Sequence, residues 1–418
     1  MEKGFDRKKA VSWAFYDWAN SAYATTVMAG FFPIFFKQYW SAGADVHMST
    51  FHLGTANSIA SITVAVLAPI LGYVADKGGT KKKFLLFFLT LGAIATASLG
   101  LVGKGEWAAA AACYALATIG FAGGNVFYDS LIVSVAGKEK MDLVSALGYS
   151  LGYLGGGLLF ALNVWMTLSP RTFGLADSAE AVKCAFVIVA GWWAIFAIPL
   201  FLFVPEPLRE GRAGGFSAVR AGFAQLGQAF QEIRKVRVAF LFLIGYWLYI
   251  DGVDTIVLMA VDYGMSLGFD STTLIKALLV TQFVGFPAAI GFGKLGEKLG
   301  TKAGIFIGLA VYIVVAVWGF FMKQQSEFYI LAIAIGLVQG GVQSLSRSFY
   351  AKIIPPESAA EFFGFYNMLG KFAAVIGPFM MGWVSVVSGN ARFSILAVIA
   401  LFVAGAAVLY FVPAKQPE

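Results

Sequence analysis

Residues 72–81 read G-Y-V-A-D-K-G-G-T-K, and residues 293–302 read G-K-L-G-E-K-L-G-T-K. One pattern fits both: Gly, three residues, an acid, Lys, one residue, then Gly-Thr-Lys. It fixes Gly72, Asp76, Gly79 and Lys81 in the first copy, and Gly293, Glu297, Gly300 and Lys302 in the second. Each copy ends one long apolar run and precedes another. Working outward, such runs fill the chain. They occupy roughly 12–36, 53–75, 84–103, 107–136, 144–168 and 182–204, then 238–262, 271–293, 303–322, 327–354, 362–387 and 393–412, each near the length that takes a helix across a bilayer. The two copies follow the second and eighth runs, so the chain reads as a six-span unit repeated.

Composition agrees. The 418 residues are 59% hydrophobic with a mean hydropathy of +0.78, and 13% are charged, about half the level of soluble domains. A water-soluble core cannot hide that much apolar surface. The runs are continuously apolar rather than alternating, which selects helices over a barrel. The expected fold class is an all-α polytopic membrane protein of twelve transmembrane helices in two pseudo-symmetric six-helix halves. The divisions are 1–204, a cytoplasmic linker 205–237, and 238–418. Within the linker, Phe216, Val219, Phe223, Leu226, Phe230 and Ile233 recur at spacings of three and four. That stripe predicts a helix lying on the inner membrane surface, or packing against the span ends. The N-terminus, M-E-K-G-F-D-R-K-K, lacks a small-residue cleavage site, so the first run reads as a retained helix.

Charge sets the orientation. With both termini in the cytoplasm, inner loops and tails hold 21 of the 30 Lys and Arg and outer loops six, as the positive-inside rule requires. Lys276, Arg347 and Lys371 fall within spans. This distribution accounts for the net charge of +7 without a nucleic-acid partner. Cys113 and Cys184 give no disulfide framework or metal spacing.

A second echo joins the halves. Asn125, Asp129 and Ser130 align with Gln343, Arg347 and Ser348 at a constant offset of 218, as does Gly152 with Gly370. Repeats of this kind place a transporter's substrate site at their interface.

Several segments together resemble a known family. The 72–81 stretch with its following lysines looks like the loop signature of the major facilitator superfamily, departing at Thr80, where that signature usually has Arg. Y-D-W-A-N-S-A, N-V-F-Y-D-S-L, G-Y-L-G-G-G, V-P-E-P, G-L-V-Q-G-G-V-Q-S-L-S-R-S and F-F-G-F-Y resemble the branch holding the autophagy-linked fungal vacuolar amino-acid effluxers and their bacterial relatives. The resemblance implies twelve helices, alternating access, and a central cavity lined by spans 1, 4, 7 and 10. It transfers no substrate, and leans towards export to the cytoplasm from a vacuole, or an open direction in a bacterial relative.

The polar residues inside spans are the candidate site, because a charge at mid-span costs about 2.5–3.5 kcal/mol on insertion scales. Asp17 and Asn20 share a face of span 1, Asp251 and Asp254 a face of span 7, and Asn125 and Asp129 a face of span 4. Gln339, Gln343 and Arg347 make one stripe on span 10. Asn367 and Lys371 accompany them. Asp129 and Arg347, opposite charges at equivalent places, are expected to form an inner gate, or else a static pair. Asp17, Asp251 and Asp254 are candidates for binding a cationic group or a proton. Lys371 would bind a carboxylate or serve as counter-ion to one acid. Asp17 lies eight residues past Lys9 and Asp251 fourteen past Arg237, a depth difference of about 9 Å, which leaves their equivalence open. The repeated loop reads as conformational, with Asp76 and Glu297 capping helix ends or pairing with basic residues.

Enzyme motifs fail. G-Y-S-L-G around Ser150 matches a nucleophile elbow in letters, but lies within a span with no His partner. His47 and His52 read as outer-loop residues and as poor metal ligands. Trp40, Trp107, Trp192 and Trp193 read as an interfacial belt; Trp13 and Trp18 as belt or cavity. The expected protein is a secondary transporter for a small polar solute, an amino acid or similar zwitterion, with proton coupling. It is monomeric in the plasma (bacterial inner) membrane, without cofactor, metal or enzymatic activity. A sensor that kept a transporter fold, and a lipid or amphiphile translocator, are the alternatives.

Overall fold

The computed structural model describes residues 6–42, 46–206 and 234–413. The linker stripe from Phe216 to Ile233 lies outside them. Twelve helical rods follow one another. The first begins as α1 (Arg7–Ala22), capped by the Asp6 carboxylate on the N–H groups of Lys8 and Lys9. It runs on through Tyr23–Phe31 and Phe36–Trp40, where the backbone bonds skip an extra residue: Phe32 N–H reaches the Val27 carbonyl and Ser41 N–H that of Phe36. Then come α2 (Val46–Gly78), α3 (Lys81–Leu99), α4 (Trp107–Ser130), α5 (Met141–Leu168) and α6 (Ser178–Phe203). The second half is α7 (Arg237–Ser266), α8 (Ser271–Leu299), α9 (Thr301–Phe321), α10 (Gln325–Ile353), α11 (Ala359–Ser388) and α12 (Ala391–Tyr410). Polar side chains cap several helices, among them Asp177 before α6, Asp270 before α8 and Asn390 before α12.

Among the described residues, ten helices are long and apolar enough to cross a membrane. Phe87, Ile94, Leu202, Val314 and Phe379 are each more than half exposed around the bundle. Surface of that kind suits lipid, not water. The interior is aromatic: Trp13, Tyr16, Tyr23, Phe32, Phe36 and Trp40 of the first rod are fully buried.

The halves meet along α2 with α11 and along α5 with α8 and α10. Glycines permit the approach. A Cβ on Gly72 would fall on the Ala360 carbonyl, one on Gly364 would lie 2.6 Å from the Ala68 carbonyl oxygen, and one on Gly293 2.5 Å from the Ala146 methyl. Gly79 and Gly300 have φ of 57° and 93°, a region open to glycine at little cost, which explains why both loop copies keep Gly before Thr-Lys.

Two expectations about aromatics fail. Trp192 and Trp193 sit midway along α6, not at its end. Trp193 is fully buried against Tyr23, and Trp192 stacks on Trp18 with ring centres 5.5 Å apart. Trp40 is likewise fully buried. A long aromatic ladder on the first rod needs aromatic partners, and α6 supplies them. His47 and His52 are not loop residues: α2 starts at Val46, and His52 lies flat on Trp107 at 3.6 Å.

Candidate functional site: a buried ion cluster between the halves

Arg347 on α10 is 2% exposed and reaches out of its own half. Its Nη1 donates to Asp129 Oδ1 at 3.1 Å on α4, and its Nη2 to Asp17 Oδ2 at 3.1 Å on α1. Nε donates to Ser145 Oγ, and Nη2 also to the Ser145 carbonyl, both at 2.9 Å on α5. The guanidinium lies 4.7 Å from the Trp13 ring centre and 4.4 Å from that of Tyr149, a distance at which ring faces attract cations. The carboxylates have further donors. Tyr128 Oη donates to Asp17 at 2.8 Å, and Asn367 Nδ2 to Asp129 Oδ2 at 3.1 Å. One cation thus ties α1, α4, α5 and α10, with α11 joined through Asn367.

The expected Asp129–Arg347 pair is therefore formed, and Asp17 joins it. Asp17 was expected beside substrate; its place in the cluster follows from Gly148, which lets the carboxylate pass close to α5. Ser145, Tyr128 and Tyr149 are uncharged and carried no signal of their own. Asn20 donates to Asn125 at 2.7 Å, one turn further along α1 and α4.

Asp251 lies apart. Its Oδ1 accepts the Gly377 N–H of α11 at 3.0 Å. The acidic pairs of α1 and α7 are thus not structurally equivalent. Asp254 is half-buried one turn on. Gln339 lines a cavity of about 100 Å³ in the second half, walled by Met259, Phe328, Ile335 and Met381 with Gln282 beside it. Gln343 is half-buried between that cavity's wall and Arg347 on α10. Lys276 is exposed, and the side chain of Lys371 lies outside the described residues. Ser150 donates to the Phe286 carbonyl, a helix-to-helix contact.

The two loop copies flank the same end of the bundle. Asp76 pairs with Lys81 at 2.8 Å and accepts the Glu361 N–H at 2.8 Å in the first turn of α11. It therefore does both jobs expected of it, pairing and capping, and the capped helix belongs to the other half. The second copy differs. Glu297 pairs with Lys140, just before α5, at 2.9 Å, while Lys302 donates to the carbonyls of Tyr410 and Val412 at the end of α12. Asp142 in the first turn of α5 pairs with Lys352 at 2.7 Å and accepts from Thr301 and Ser348. That cluster was not anticipated. Its signal was an acid in a first helical turn and a lysine in a last one, from opposite halves.

An all-helical bundle of two halves packed against each other is the fold of major facilitator transporters. Solved transporters share it: the human organic anion transporter MFSD10 (TETRAN) superposes with a TM-score of 0.75 at 16% identity, over 97% of this chain and 100% of that one, and FucP in the outward conformation with 0.72 at 12%, over 98% and 99%. More narrowly, residues 40–141 and 133–417 match the model of the family "Vacuole effluxer Atg22 like", and the chain belongs to that family. It is 40% identical to the MFS-type transporter YxiO of Bacillus subtilis (strain 168), over 99% of this chain and 96% of that one. It is 21% identical to autophagy-related protein 22 of Eremothecium gossypii, over 94% and 89%.

Proposed function

We propose that the chain is a secondary active transporter that moves a small polar solute, an amino acid or similar zwitterion, by alternating access. Both termini face the cytoplasm, and protons are coupled through the intramembrane acids. The observation that carries this reading is the clamp of Arg347 between Asp17 and Asp129. Its charges come from opposite halves, one guanidinium against two carboxylates, and sit in a buried site, where parting them leaves charges unpaired. When made, it closes the end that carries the loop copies. When broken, it frees a guanidinium suited to a carboxylate and two carboxylates suited to an ammonium. The family's description as a vacuole effluxer supports an exporting role. The apolar cavity beside Gln282 and Gln339 favours a second reading, translocation of an amphiphile.

Proteoliposomes enclosing a pH-sensitive dye test the proposal. Single amino acids, sugars, short peptides and lysolipids are added in turn, with R347Q vesicles alongside. Protein-dependent proton movement with amino acids, absent in R347Q, is the expected result. Movement with lysolipids alone selects the second reading. Silence with every solute, both here and in radiolabelled counterflow, rejects transport of these classes and leaves a sensor.

A further inference from the structure

Asp251 is 1% exposed, and its Oδ2 has no hydrogen-bond partner. Its Oδ1 takes the Gly377 N–H at 3.0 Å and lies 3.4 Å from Thr255 Oγ1. The donor is unusual. Gly377 precedes Pro378 inside α11, and proline removes a helical hydrogen bond and presses on the carbonyl four residues earlier. Beside this proline, α11 directs the Gly377 N–H to the carboxylate on α7. A Cβ at position 377 would overlap Thr255 Oγ1, so only glycine lets the two helices meet at the carboxyl.

Among the described residues, no cation lies in hydrogen-bond contact with Asp251. Arg347 of α10 is committed to Asp17 and Asp129. Arg392, the one charged residue of α12, is committed to the Phe320 carbonyl. On α7 the nearest charge is Asp254, itself acidic. On α11 it is Lys371, six residues before Gly377. From α12, Phe402 packs on Gly252 beside the site. An ionised carboxylate here would be a buried charge with one oxygen unbonded, the arrangement that proteins avoid unless the charge is meant to come and go.

We propose that Asp251 is the coupling-proton site: a proton from water adds to Oδ2 to give a neutral carboxyl, and its departure restores the carboxylate. The two forms hold Gly377 with different strength, so the charge state biases how α7 is held to the Gly377–Pro378 segment of the helix whose first turn Asp76 caps. This deepens the reading of coupled transport and rests on it only for what the proton drives.

Infrared difference spectra of the purified, lipid-embedded protein test it without a solute, as pH is stepped in sodium chloride or choline chloride. Expected is a protonated-carboxyl band that grows as pH falls, is missing in D251N, persists in D254N and is indifferent to sodium. D251E should retain the band at a shifted frequency, which decides the matter should D251N fail to give monodisperse protein. An unchanged band in D251N or D251E overturns the proposal. So does a band abolished by sodium, which marks a metal-cation site. Since the readout needs no transport, a silent dye assay leaves this result standing, and the reverse.

Discussion

Asp17 and Arg347 are 330 residues apart in the chain and 3.1 Å apart in space, and the same guanidinium holds Asp129 at the same distance. Removing one partner of a buried pair costs about 3–5 kcal/mol, because the remaining charge stays buried. R347Q strands two carboxylates and should lower the unfolding midpoint clearly. D17N and D129N each leave one carboxylate on the arginine and should cost less. Thermal unfolding followed by size exclusion measures this; an R347Q protein as stable as wild type removes the cluster from the stability account. In transport, the swap D129R/R347D should recover part of what either single change loses. Recovery is partial because Ser145, Trp13 and Tyr149 are arranged around a guanidinium at position 347.

The two ion pairs beside the second loop copy differ in burial. The Asp142 side chain is 1% exposed, whereas Lys140 and Glu297 are 46% and 23% exposed. Exposed pairs contribute about 0–1 kcal/mol and are screened by salt. E297Q should therefore leave stability nearly unchanged. D142A removes the carboxylate that pairs with Lys352 and accepts from Thr301 and Ser348 and should cost about 3 kcal/mol, at high salt as at low. Equal losses for the two variants would contradict the burial argument.

Sequence legibility divides along the same line. Spans and the doubled loop were readable, because apolar length and Gly-Thr-Lys are local features. The Asp129–Arg347 pair was readable because the repeat aligned the two positions. Asp17 was read as binding a cationic group or a proton and Asp142 was given no role, since their partners come from helices that no local pattern relates to them. Trp192 and Trp193 were misplaced for the opposite reason: the ends of the α6 run are vague in the sequence, and tryptophan fits an interface as well as a core.

Gly72 lets α2 touch the start of α11. G72A should force the two apart at the loop end and loosen the Asp76 cap. In a background lacking Cys113 and Cys184, a cysteine replacing the fully buried Ser344 should react several-fold faster with an impermeant maleimide when G72A is present. Equal labelling rates would mean that the seam absorbs the methyl without opening.

Outside the spans, Glu206 accepts the Lys82 N–H at 3.3 Å, and burial pushes its carboxyl above the ordinary glutamate value. The sign follows from linkage: the folded state holds this proton more tightly, so Glu206 adds stability at low pH and loses it as pH rises from about 4.3 through the raised value. E206Q should flatten that segment of the stability profile; an unaltered slope refutes the assignment.

The first rod carries loosely wound stretches beyond Ala22, with bonds reaching five residues back. A turn wound this way contains one residue more than an α-helical turn. The spare residue is slack: it can be handed along the rod, re-aiming the side chains past Tyr23 while Asp17 stays seated on Arg347. The far end of this helix can thus change its face toward α5 without disturbing the clamp, so one span serves as anchor at one end and as an adjustable wall at the other.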